Sequence, residues 1–145
     1  MILANKKLLL YIKIRDFVKN INSESLTALD YYYEKQDIYT RECLLALKQI
    51  ITSIDSDIVA VRKYQIPFFC YKELNIAFLW VHKKKILVGF VEDKKTFQNQ
   101  ATGRQKDRIT TIEVNPMEDI PISTIIQNIK TLIDQYNRYH ENISN

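Results

Sequence analysis

The chain predicts an α+β fold: an antiparallel sheet of about five strands with N-terminal helices and a C-terminal helix packed on it. Three observations carry this. Apolar residues recur at helical spacing from Tyr39 to Ile54 and again from Pro121 to Tyr136. Between them lie β-rich segments at Ile58 to Tyr64, Pro67 to Tyr71, Leu74 to His82 and Ile86 to Glu92, with Ile109 to Val114 after a polar stretch. The first four are joined by links of two to four residues, enough to turn an antiparallel pair but too short for the crossover helix of a parallel one.

At the start of the chain, Leu3, Leu10, Ile14, Phe17, Val18 and Ile21 fall on one helical face, although Leu8, Leu10, Ile12 and Ile14 also alternate like a strand. Residues 1–25 are therefore read as a helical extension, residues 26–140 as the domain, and residues 141–145 as a frayed tail. Asn22 and Ser23 signal a helix start, and Leu26 to Glu34 make a short helix. Its Tyr31, Tyr32 and Tyr33 project 100° apart, so one or two rings reach a core and the third stays on the surface. Cys43, Leu44, Leu47, Ile50, Ile51 and Ile54 form the stripe of the next helix, which Asp55, Ser56 and Asp57 end. Asp93 to Arg108 has no apolar period and reads as a long loop. Pro121 suits the first position of the last helix, where its missing N–H has no partner to lose.

Composition excludes several function classes. With 145 residues the chain can bury a core without disulfides or a structural metal. Cys43 and Cys70 form no CxxC pair, which removes the disulfide-scaffold and zinc-ribbon readings and fits a reducing cytosol. With only Gly89 and Gly103, neither a GxGxxG loop nor a GxxxxGK phosphate loop is present. The apolar run Leu8 to Ile12 is cut by Lys13, Arg15 and Asp16, too short for a signal sequence or a membrane span, so the expected location is cytoplasmic.

Lys63-Tyr64-Gln65-Ile66-Pro67-Phe68-Phe69-Cys70-Tyr71-Lys72, followed by Phe78-Leu79-Trp80 and Val88-Gly89-Phe90-Val91-Glu92, resembles the YdhG-like family of small bacterial domains. The helix Arg41 to Leu47 ahead of it and Asn115-Pro116-x-x-Asp119-Ile120-Pro121 after it match the same order, so the resemblance covers about Leu26 to Tyr139. It implies the α+β fold and no defined reaction, and some members carry the label of frataxin-like iron chaperones. The chain departs from the family at Ala60, Gln65 and Asp93, and at Gln98-Asn99 where a His-Pro pair is usual.

Charge is unevenly distributed. Residues 82–108 hold eight bases and three acids, 8 − 3 = +5, and residues 21–57 hold three bases and seven acids, 3 − 7 = −4. The first region would attract an anion and the second a cation. Tyr64, Phe69, Tyr71, Phe78, Trp80 and Phe90 are read first as core packing and, as a second reading, as the lining of a concave sheet face, with Lys63, Tyr64, Tyr71, Trp80, Arg104 and Arg108 as the ligand-binding residues. The leading expectation is a non-catalytic binding module for a small anionic ligand or a protein segment, with no cofactor. Nucleic acid is set aside because Phe97 is the only ring inside the basic stretch after Phe90, and because Lys83-Lys84-Lys85, which could contact phosphate, serves equally as a hairpin turn that blocks edge-to-edge sheet pairing. The alternative is an iron-binding chaperone in which Asp30, Glu34 and Asp37 share a helical face at i, i+4, i+7 spacing, with Arg41 continuing the row to pair with Asp37. Cys43, Cys70, His82 and His140 lack zinc-ligand spacing, and no catalytic set is expected.

Overall fold

In the computed structural model, which describes residues 9–10, 12–14, 27–94, 96 and 106–144, the elements form in the predicted order. Helix α1 is Ala28–Glu34 and helix α2 is Ile38–Ser53. Strands β1 Ile58–Lys63, β2 Ile66–Tyr71, β3 Leu74–His82, β4 Lys85–Glu92 and β5 Arg108–Val114 follow, and helix α3, Ile122–Ser144, closes the fold. The five strands lie in sequence order, every neighbouring pair antiparallel. This is an α+β fold with its described helices on one face of a meander.

Local chemistry sets the helix ends. Thr27 caps α1 in a reciprocal box: its Oγ1 accepts from the Asp30 N–H at 3.1 Å, and the Asp30 carboxylate accepts from the Thr27 N–H at 3.1 Å. The cap thus falls at Thr27, while Asn22 and Ser23 lie outside the described residues. Asp37 caps α2 by accepting from the Thr40 N–H at 3.0 Å. Ahead of α3, Asn115 turns the chain by accepting from the Met117 N–H, and the Pro121 carbonyl takes the Ile125 N–H. Helix α3 then continues to Ser144, past the predicted stop near His140.

Register assigns each strand residue to a face. Phe69 pairs with Ala77, Ala77 with Phe90, and Leu79 with Val88, which puts them all on the helix-covered face with Ile58, Tyr71 and Ile86. Against them pack Leu44, Leu47 and Ile51 of α2 and Ile125, Ile129 and Tyr136 of α3. Leu9, Leu10 and Ile12 to Ile14 are helical, and Leu10, Ile12 and Ile14 pack against this same core. A bulge opposite Phe69/Cys70 sends both Ile76 and Ala77 into the core, so the alternation of β3 slips by one residue there.

Tyr31, Tyr32 and Tyr33 divide as the helical geometry requires, with Tyr31 62% exposed and the other two buried. The two buried hydroxyls differ. Pairing between β2 and β3 starts at Phe68 with Phe78, and beyond it the Val81 N–H donates to the Tyr32 hydroxyl at 3.0 Å. The Tyr33 hydroxyl is buried with no hydrogen-bond partner, and burial, with the nearby Asp30 charge adding, pushes its pKa well above the ordinary phenol value. The same substitution should therefore act with opposite signs at adjacent positions. Tyr32→Phe is expected to destabilise by about 1 kcal/mol by orphaning a strand amide, and Tyr33→Phe to stabilise by about 1 kcal/mol by removing an unpaired polar atom. Urea unfolding midpoints at unchanged m-value check both.

Candidate functional site on the open sheet face

The second face of the sheet carries the alternate residues. Outward from β1 and β2 point Val59, Val61, Lys63, Phe68 and Cys70, and from β3 Phe78, Trp80 and His82. Leu87, Gly89 and Val91 of β4 and Ile109, Thr111 and Glu113 of β5 continue it. The described helices pack on the other face, and here Val59 is 56%, Trp80 41% and Ile109 54% exposed. On the same face Phe68 and Val91 are buried, at 7% and 3% exposure. So apolar a face without a described helix on it is unusual, because antiparallel sheets with one solvated face normally alternate apolar and polar residues.

A band of rings crosses this face. Phe78 lies flat over Gly89, its partner across the β3–β4 ladder, so closely that a Cβ at Gly89 would fall inside the ring. Phe78 stacks on Phe68 at 5.3 Å between centroids, and Phe68 meets Tyr64 at 5.6 Å. Trp80 and His82, two residues apart on the same strand, bring their rings to 4.8 Å. Lys63 donates to the Asn75 side-chain carbonyl at 2.7 Å, an acceptor it shares with the Cys70 thiol at 3.3 Å.

The three hairpin links are two residues long, and all six residues have positive φ: Tyr64 52° and Gln65 65°, Lys72 46° and Glu73 74°, Lys83 49° and Lys84 63°. Such turns favour Asn-Gly, and none of these residues is Gly, Asn or Asp. Tyr64-Gln65 and Lys83-Lys84 lie at one end of the sheet, Lys72-Glu73 at the other. The last is held from the helix layer, where the Tyr136 hydroxyl donates to the Lys72 carbonyl at 3.2 Å. Tyr64 is 82% exposed, a bulky ring held in a disfavoured backbone region with little burial in return.

The predicted concave aromatic face does not form as one surface. Phe69, Tyr71 and Phe90 belong to the helix-covered core, while Tyr64, Phe78 and Trp80 are on the open face. Tyr71 is only 3% exposed, its hydroxyl donates to Asn137 on α3, and its ring stacks edge-on against Tyr136. Arg108 starts the opposite edge strand at the opposite end of the sheet, the far corner from Lys63 and Tyr64. Arg104 lies outside the described residues. Of the predicted ligand-binding set, the fold brings Lys63, Tyr64 and Trp80 to one face and one end. Sequence reasoning missed the neighbours His82, Lys83 and Lys84 as members of the same surface. A signal existed in Gly89, since a glycine inside a strand marks close approach of another group.

The acidic row is broken by the helix ends. Helix α1 stops at Glu34 and Asp37 begins α2, so the three carboxylates share no helical face. Each has a structural partner: Asp30 closes the capping box, Glu34 lies 3.9 Å from Arg41, and Asp37 holds the α2 cap. Arg41 follows Asp37 by one helical turn, its N–H donating to the Asp37 carbonyl at 2.8 Å. Its guanidinium donates to the Glu34 and Gln36 carbonyls and ties the α1–α2 junction. The Thr40 N–H keeps the Asp37 carboxyl below its ordinary pKa, with the Lys84 charge adding. Among the described residues no group of three or more His, Cys, Asp or Glu is placed to hold a metal ion, and no helix is long and apolar enough to cross a membrane.

Comparison of the chain with protein-family models, with curated proteins and with solved structures found no match.

Proposed function

We propose that the chain is a non-catalytic binding module, and that the open sheet face takes an anionic partner carrying flat apolar groups. One observation carries the reading: Tyr64 is almost fully exposed in a left-handed turn conformation, at the end of the aromatic band. A ring in that position costs backbone energy and adds little to the core. A ring so placed is suited to a contact with something outside the chain. Lys63, half-buried, sets a charge beside the band, and Trp80 and His82 widen it. Rings supply desolvated contact area and the lysines supply attraction and orientation.

Anilinonaphthalene sulfonate, a flat aromatic anion, tests this on the native protein. A single saturable site is expected, weakened several-fold by Tyr64→Ala and by Lys63→Ala and unchanged by Arg108→Ala at the far corner. No saturable binding, or equal loss with Arg108→Ala, would remove the open face as the site.

A further inference from the structure

Resting on that reading, we infer that the occupant of the open face is single-stranded nucleic acid. The fold removes one of the two grounds on which the sequence set it aside. Phe97 was the only ring within the basic stretch, but the meander brings Tyr64 and Trp80 to the same end as Lys83 and Lys84. Tyr64 is 82% and Trp80 41% exposed, with the His82 ring 4.8 Å from that of Trp80, and unpaired bases stack on accessible rings whatever their sequence.

Charge complementarity points the same way. Among the described strand residues facing outward, Glu113 is the single carboxylate, and it is paired to Lys85 at 3.3 Å. Lys63, Lys83 and Lys84 remain as cations at this end, with the Lys84 charge also felt by Asp37. Lys63 spends one of its three N–H donors on a neutral amide and keeps two for an anion.

The β1–β2 and β3–β4 hairpins are centred two strand positions apart, about 10 Å at the usual inter-strand distance. Successive phosphates of one strand can lie along the lysines of both hairpins, with bases laid on the rings between them. A duplex keeps its bases stacked on each other and leaves those rings without partners.

The experiment uses the full chain and a fluorescein-labelled oligothymidylate of about 12 nucleotides, the upper range of site sizes for such surfaces, read by anisotropy. Saturable binding is expected, with quenching of Trp80, the one tryptophan in the chain. Three phosphate contacts give a log–log salt slope near −2, so affinity should fall about 16-fold between 50 and 200 mM salt. Trp80→Ala should weaken binding about tenfold. Lys83→Asn with Lys84→Gly removes two charges while giving the turn its favoured residues, so it should bring the slope below about −1 in magnitude without loss of fold stability.

Failure of the oligonucleotide to bind at low salt, while anilinonaphthalene sulfonate still does, would overturn the inference and leave the module reading standing. Failure of both would overturn both. Equal affinity for duplex would overturn the single-strand assignment. A polyglutamate that displaces the oligonucleotide at equal charge concentration would assign the face to acidic peptides instead. Self-association that occludes Trp80 would assign it to a second copy of the chain.

Discussion

Gly89→Ala should be among the most damaging single-methyl additions in the sheet, destabilising by about 3 kcal/mol, the upper part of the usual range for overpacking. The cause is space. Gly89 sits mid-strand, where alanine has no conformational disadvantage, but Phe78 occupies the volume a Cβ needs. The ring has little freedom to swing away because Phe68 stacks on its other side, and Phe68 in turn is wedged by Tyr64. A methyl group at Gly89 must therefore displace the aromatic band or bend β4 away from β3. Pairing the change with Phe78→Ala separates the two contributions. The double variant should be clearly more stable than the sum of the single effects, because the second change removes the clash created by the first. Urea unfolding gives the result, and a cost below about 0.5 kcal/mol for Gly89→Ala, the size of an ordinary surface change, would mean that the ring does not lie where described.

The second large effect is a gain. Each hairpin places two L-residues in the left-handed region, a conformation that costs roughly 1–2 kcal/mol per residue. Replacing Lys83-Lys84 by Asn-Gly should raise stability by about 2 kcal/mol, since asparagine tolerates that region and glycine is indifferent to it. The substitution at Tyr64-Gln65 should stabilise similarly, and there it also removes the exposed ring. The two predicted consequences then diverge usefully: the fold becomes more stable while the anilinonaphthalene sulfonate site weakens. At Lys72-Glu73 the gain should come with no change in binding, because that turn lies at the other end under Tyr136. A stability loss at all three hairpins would show that the side chains in these turns support the fold directly.

Much of the architecture was legible because short links leave few options. Two-residue connections compel antiparallel neighbours, and the stripes of α2 and α3 show which faces must be buried. The faces of individual rings were harder to read. In Pro67-Phe68-Phe69-Cys70-Tyr71, adjacent phenylalanines point to opposite sides, and a one-residue slip exchanges core and surface. The bulge at Ile76 introduces such a slip inside β3, so no constant period assigns its residues from Leu74 to His82. The acidic row failed for a different reason. Thr27 with Asp30 is a capping signature, and Asp37 before Ile38 is an N-cap, so the carboxylates mark two helix starts and not one continuous face. Arg104 and Arg108 were grouped with Lys63 through net charge, a property that says nothing about corners of a sheet.

The face opposite the described helices should be solvent-accessible and electropositive around Trp80. The single tryptophan reports on it directly through collisional quenching, comparing iodide with caesium at matched ionic strength. Ready quenching by both ions is expected, with iodide more effective because Lys63, Lys83 and Lys84 raise its local concentration, and the difference shrinking as inert salt screens them. An indole that resists both quenchers would mean that the face is covered, and preference for caesium would mean that its field has the opposite sign; either result would rule out an open, electropositive face at Trp80.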